Sequence, residues 1–357
     1  MALMTRFASL LALPLALLAP APAPAQQPAA PALLGAAPLE RRHQDWLLVC
    51  DNVRVCRAQV TGNDGSLMIR RDPGPAGAIL IVLDGQEPSD GPSVPPLESI
   101  RVDGGAAPGG WRLDREGESA KLEGAAALAF VRAAANARTI SYRAGTETRT
   151  VSLAGLTAAL LAMDEAQGRV GTVTATIRPG PGRAAAVPPA QPVPVLWVPR
   201  PATARVPRGF AAAVRRAHGA ALRRADCETS EHATSQDSAV ALSRTEILVF
   251  LGCRLYNTSF GTLLLRAPRA DPRRARVVLL PQIPAEDNDE SGVQSNLEWD
   301  PQAAILSAGS HSCAGTCGGR SQWTFDGRSF RLSGHLTYEW GGAEPLDHYR
   351  VAVRIRR

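Results

Sequence analysis

The sequence predicts an α+β protein: a mixed α/β N-terminal domain joined by a Pro/Ala-rich linker to a mostly antiparallel β C-terminal domain. Three observations carry this. The 357 residues leave room for two cores of ordinary size. Short alternating apolar runs are interrupted early by two segments of helical period, then become strand-length runs with turn signals. Between the two regimes, residues 179–208 are rich in Pro and Ala and keep no sustained period.

In chain order, residues 1–25 read as a cleaved signal peptide: Arg6, an apolar run from Phe7 to Ala19 broken by Pro14, and small residues Ala23 and Ala25 before Gln26. That run is too short and proline-rich to span a bilayer, and no later apolar stretch is long enough, so no transmembrane segment is expected in the mature chain. No cysteine precedes Cys50, which argues against a lipid anchor. The address is therefore periplasmic or secreted. Residues 26–44 read as a flexible lead.

The first domain, 45–178, is expected to hold strands near Trp46–Cys50, Val53–Val60, Ser66–Arg70 and Ala78–Leu83. A helix over Ser119–Ala135 follows, then strands at Thr139–Arg143 and Glu147–Leu153. A helix over Ala154–Gln167 is capped by Gly168, with Leu156, Leu160 and Met163 toward the core, and a strand at Thr172–Ile177 closes the unit. Within the linker, Trp197 is expected to dock on a domain. The second domain, 209–357, begins with a helix whose Phe210, Val214, Ala217 and Ala221 form one stripe and whose arginines form a solvated face, a membrane-surface or acidic-partner role being the alternative. Strands follow at Glu246–Leu251, Phe260–Arg266, Arg276–Leu280, Ala303–Ser307, Gln322–Phe325, Ser329–Leu332, Leu336–Trp340 and Tyr349–Ile355, with Asp326-Gly327 as a hairpin signal.

Six cysteines suit an oxidising compartment. Cys50 and Cys56 bracket a turn, and a bond there closes a short loop worth about 2 kcal/mol; pairing Cys227 with Cys253 closes a longer one worth about 3.5 kcal/mol. Cys313 and Cys317 are the remaining pair. Zinc is disfavoured, because the spacings form no paired C-x-x-C knuckles. The net charge of +6 is mild, and Lys121 is the sole lysine. A GC-rich genome that writes arginine for lysine accounts for this, so nucleic acid is not expected as a partner.

The Cys50-Asp51-Asn52 start followed by Cys56-Arg57-Ala58, the segment SLAGLTAALLAMDEAQGRVGT over Ser152–Thr172, the Cys253–Asn257 run, and Cys317-Gly318 with WTFDGRSF resemble the domain-of-unknown-function family 1176 along nearly the whole mature chain. The resemblance implies an exported bacterial protein of undefined activity, whose first half is similar to the invasion-associated locus B type of secreted domain. The family pattern usually offers a further cysteine after its Cys-Gly. None follows Cys317 here, so Cys313 is the substitute partner and the third pairing stays open.

No G-x-S-x-G elbow, H-E-x-x-H, phosphate loop or S-x-x-K occurs, and the six histidines show no metal-ligand spacing. His311 beside Cys313 reads first as a turn histidine. Asp164, Glu165 and Arg169 could line a pocket, but read first as capping and pairing around a helix end. In DNDESGVQSNLE, Asp287, Asp289, Ser291, the Val293 carbonyl and Glu298 take the first, third, fifth, seventh and twelfth positions of a calcium loop, with Gly292 at the turn. Gln294 stands where such loops carry an aliphatic residue, so an acidic solvated loop is preferred over Ca²⁺. The composite expectation is a non-enzymatic binding or interaction protein with an envelope or extracellular protein as partner. The alternatives are an inhibitor of a lysozyme-like hydrolase, or a hydrolase with a dispersed site.

Overall fold

The computed structural model describes residues 33–85, 96–114, 119–200, 203–228, 230–255, 259–283, 292–312, 317–338 and 345–356. The unit they belong to runs from Ala32 to Arg357.

The N-terminal strands are β1 (Leu39–His43), β2 (Trp46–Cys50), β3 (Cys56–Gly62), β4 (Gly65–Arg71), β5 (Ile79–Asp84), β6 (Arg101–Val102), β7 (Gly105–Ala106), β8 (Arg112–Leu113), β9 (Ser119–Glu123), β10 (Thr139–Ala144) and β11 (Glu147–Ser152), with helices α1 (Gly124–Ala134) and α2 (Leu156–Ala166). They build a seven-stranded sheet in the order β1-β2-β3-β4-β5-β9-β8 and a four-stranded sheet β11-β10-β6-β7. Every residue of β2 is buried, because both its faces are covered, a pattern that yields a continuous apolar run rather than alternation. Trp46, Leu48 and Cys50 join Phe130, Leu156, Leu160 and Met163 in the main core, while Leu47 and Val49 meet Leu346 on the other face.

The C-terminal part contains β12 (Val195–Val198), α3 (Phe210–Ala217), α4 (Gly219–Arg224), α5 (Glu231–Ser235), β13 (Ser238–Ala241), β14 (Glu246–Leu255), β15 (Phe260–Pro268), β16 (Arg276–Val277), β17 (Val293–Ser295), β18 (Glu298–Asp300), β19 (Ile305–Ser312), β20 (Cys317–Phe325), β21 (Phe330–Tyr338), β22 (Leu346–Arg350) and β23 (Ala352–Ile355). Strand β14 shows why the layers stack as they do. Its Ile247, Val249 and Leu251 pack with Phe210, Val214 and Leu222 of the helices, and its Leu248 and Phe250 pack with Trp323, Phe325 and Tyr349. The sheet β13-β14-β15-β16 thus lies between helices and the antiparallel sheet β18-β19-β20-β21-β22. A bulge interrupts β14 at Gly252, where a Cβ would lie 2.0 Å from the Ala233 carbonyl oxygen. The beta-rich class is as expected from the sequence.

Several elements differ from expectation. Ser119–Glu123 is a strand rather than the start of a helix, since Ala120 and Leu122 point inward and pair with Leu83 and Ile81 of β5; the helix starts at Gly124. Thr172–Ile177 forms an irregular loop with a single bridge to Gly182, because its N–H groups are divided between turn carbonyls and the side chains of Thr172 and Asp164. Strand β1 falls within the stretch read as a lead, and β12 within the stretch read as a linker. Cys50–Cys56 and Cys227–Cys253 are disulfides. Cys317 is disulfide-bonded too, whereas Cys313 lies outside the described residues.

Candidate functional site

The segment most specific in the sequence turns inward. At the end of α2, Asp164 is buried and accepts hydrogen bonds from Thr176 N (2.8 Å), Thr176 Oγ1 (2.8 Å) and Ile177 N (3.3 Å). Gln167 donates through Nε2 to the carbonyls of Arg54 and Arg71, each at 2.9 Å. Arg169 is fully buried; its Nε donates to Gln167 Oε1 at 2.8 Å and its Nη2 to the carbonyls of Asp72 (2.9 Å) and Gly74 (2.6 Å). Arg71 and Arg132 reach the Thr174 and Ala175 carbonyls. These side chains satisfy backbone groups at the end of β4 and in the irregular segments around Arg54, Asp72–Gly74 and Thr174–Ile177, which is what makes buried polar groups tolerable. Glu165 points away, exposed, 3.4 Å from Arg41. The three residues considered as pocket lining are therefore not brought together in a cleft.

Burial dominates the ionisation of this clamp. It raises the Asp164 pKa above the usual carboxylate value despite the Thr176 and Ile177 hydrogen bonds and nearby Arg169. It lowers Arg169 to about 10, helped by repulsion from Arg71. A carboxyl raised in the folded state contributes linkage stability that is present below its unfolded pKa and is lost as pH rises through the folded one. Asparagine copies the protonated form and does not titrate. The melting temperature of the parent minus that of Asp164→Asn is thus expected to fall between acidic and neutral pH in a calorimetric series. A difference that grows with pH would mean that the fold is built on the ionised carboxylate.

A second polar cluster forms where the N-terminal sheet meets β22. Asp51, fully buried, accepts from Val53 N (3.0 Å) and Val55 N (2.8 Å) and makes a 2.7 Å ion-pair contact with Arg350 Nε. Burial outweighs Arg350 and raises its pKa. Asn52 exchanges hydrogen bonds with the Arg350 backbone, 3.0 Å in each direction, and Arg57 pairs with Asp347 at 2.9 Å. Beside them, His335 and His348 pack edge to face with centroids 5.1 Å apart. Ser321 Oγ is 2.8 Å from His335 Nδ1, Thr337 Oγ1 is 2.8 Å from His348 Nε2, and His348 Nδ1 is 3.5 Å from Glu40 Oε2. Thr337, His348 and Glu40 thus align a hydroxyl, an imidazole and a carboxylate. Scattered in the sequence, the histidines meet only through the β21–β22 register and its shift at His335/Leu336.

An open groove of about 580 Å³ lies where the β1–β2 and β3–β4 turns meet β11, lined by Arg42, Asp45, Asn63, Asp64, Thr150 and Ser152 among others. Its carboxylates are engaged: Ser152 donates to Asp45 at 2.6 Å, and Thr150 N and Arg149 reach Asp64. Of the calcium-loop positions, Asp287, Asp289 and Ser291 lie outside the described residues. Val293 is buried and pairs with Leu263; Glu298 is exposed and pairs with Ser307. No group of His, Cys, Asp and Glu among the described residues could hold a metal ion. The side chain of His311 also lies outside them.

Residues 40–337 match a family described as protein of unknown function (DUF1176). The chain belongs to this family. It is 27% identical over 316 residues to the uncharacterized protein YpfG of Escherichia coli (strain K12), covering 84% of this chain and 88% of that protein. No solved structure matches. The DUF1176 match contains the Asp164–Arg169 clamp and the Asp51-Asn52 turn, and it ends ahead of β22, which supplies His348 and Arg350 to the seam. No helix among the described residues is long and apolar enough to cross a membrane.

Proposed function

We propose that the chain is an exported, disulfide-braced protein that acts by binding, with its signal peptide cleaved after Ala25 and its two domains divided at residues 179–208. The observation that carries this reading is the clamp. The polar residues most specific to the family pattern, Asp164, Gln167 and Arg169, are consumed in holding backbone, where an enzyme of this size would aim such groups into a cleft. The disulfides support an oxidising compartment. The partner class is an envelope or extracellular component.

A hydrolase is the second reading, favoured by the Thr337–His348–Glu40 alignment. Against it stands the burial of both histidines, 5% and 4% exposed, in the seam. One experiment separates the two. Protein recovered from the cell envelope is expected to begin at Gln26 by mass spectrometry and to hydrolyse a panel of ester and glycoside substrates no faster than buffer. Turnover abolished by His348→Gln would establish the hydrolase instead, and an N-terminus at Met1 would remove the export step.

A further inference from the structure

Between Ala166 and Ala225 the chain has ten arginines and no aspartate or glutamate, so the rest of the chain is net acidic. A GC-rich genome explains why the cations are arginine. It does not explain why the anions are missing from one stretch. Within that stretch, β12 pairs in parallel with β23, setting Val195 opposite Ala352 and Trp197 opposite Arg354. Trp197, expected to dock on a domain, sits on a strand that pairs with β23, and the residue stays 50% exposed. Val195, two residues away on the same face of the strand, is 42% exposed, whereas Ile355 pairs with Val198 on the opposite face. Arg200, Arg354 and Arg356 are exposed around them, and none has an ion-pair partner among the described residues. The Val198 carbonyl accepts from Arg356 N at 2.8 Å, fixing the arginine-rich end beside the ribbon. No acidic residue follows Asp347, so both strands are purely cationic and apolar.

We propose that this ribbon is a peripheral docking site for anionic phospholipid. An indole with a polar N–H suits the headgroup level, the Val195 side chain beside it suits the acyl boundary, and the guanidinium groups of that face bind phosphate through paired donors. Pro194 and Pro199 bound β12, which discourages addition of a further strand from a protein partner. The patch is small, so attachment is reversible and depends on salt. The proposal rests on the export reading for which membrane face the ribbon meets, yet the two fail separately: the assay reads the ribbon, and the N-terminus reads export.

The test is sedimentation of envelope-purified protein with vesicles of phosphatidylglycerol mixed equally with phosphatidylcholine, beside vesicles of phosphatidylcholine alone. Binding to the anionic vesicles only is expected. It should weaken as salt rises and shift tryptophan emission to shorter wavelength, and Trp197→Phe should lose the shift. Arg354→Gln with Arg356→Gln, which removes two positive charges, should reduce affinity about 30-fold. These positions are exposed, and an unchanged melting temperature verifies the fold; should a variant not fold, the lipid and salt dependence of the parent still decide. Equal binding to both vesicle types, no binding, or an unshifted spectrum overturns the proposal. So does binding to poly-L-glutamate that equals binding to the anionic vesicles, which assigns the ribbon to an acidic polypeptide, or a dimer in solution that shields Trp197.

Discussion

Arg169→Ala is expected to cost about 3–5 kcal/mol of folding stability, the range for removing one partner from a buried charged network. The guanidinium is fully buried and holds the Asp72 and Gly74 carbonyls and Gln167. Deleting it removes a donor from Gln167 Oε1 and from the Asp72 carbonyl, leaves the Gly74 carbonyl to Gly77 N alone, and strips Asp164 of a nearby positive charge. Chemical denaturation followed by circular dichroism reads the loss directly. Arg169→Lys should recover only a small part of it, because an ammonium cannot reproduce a fork that serves Gln167 and two carbonyls at once. A loss below about 1 kcal/mol would show that water replaces the side chain and that the clamp holds nothing.

The second large effect is expected from Cys227→Ser with Cys253→Ser. The bond closes a separation of 26 residues and is worth about 3.5 kcal/mol through the entropy it removes from the unfolded chain. Breaking Cys50–Cys56, with a separation of 6, should cost about 2 kcal/mol. The ordering of the two losses is the test, measured as denaturation midpoints of the two double variants. Cys253 is fully buried at the foot of α4, where Cys227 N donates to the Leu222 carbonyl. Its removal should therefore loosen the helices from β14 before the rest of that sheet. Equal losses would mean that local packing, not loop closure, sets the contribution.

How far the sequence reaches depends on whether a residue's role is local. The Asp326-Gly327 turn signal and the apolar runs that became β14 and β15 are local, and they are found where the pattern places them, whereas the two runs read as Ser329–Leu332 and Leu336–Trp340 are one strand, β21. The α2 stripe of Leu156, Leu160 and Met163 is local and is buried as expected. Ser119–Glu123 misleads, because Ala-Lys-Leu-Glu favours helix in isolation, and only pairing with β5 recruits it as a strand. Thr172–Ile177 misleads in the opposite direction: its β-branched alternation suits a strand, but the only neighbouring backbone contributes a single bridge at Gly182 and Asp164 takes the Thr176 and Ile177 N–H groups. The Ser321, His335, Thr337, His348 and Glu40 cluster depends on the register of three strands and on β1, far away in sequence, so no local spacing announces it. The burial of Arg169 was legible only as pairing at a helix end, since a sequence shows a charge but not the carbonyls waiting for it.

The bond between Asn52 and the Arg350 backbone spans 298 residues, and this has a consequence for the order in which the chain can mature. The carboxyl of Asp51 and the outer faces of Leu47 and Val49 meet their partners on β22, which is synthesised some 298 residues after Asn52. Until then, the first sheet is an unfinished surface with an unpaired buried charge, and closing such a long loop is slow. A polypeptide built this way stays threadable through a narrow pore for as long as β22 has not joined the first sheet, and locks once it does.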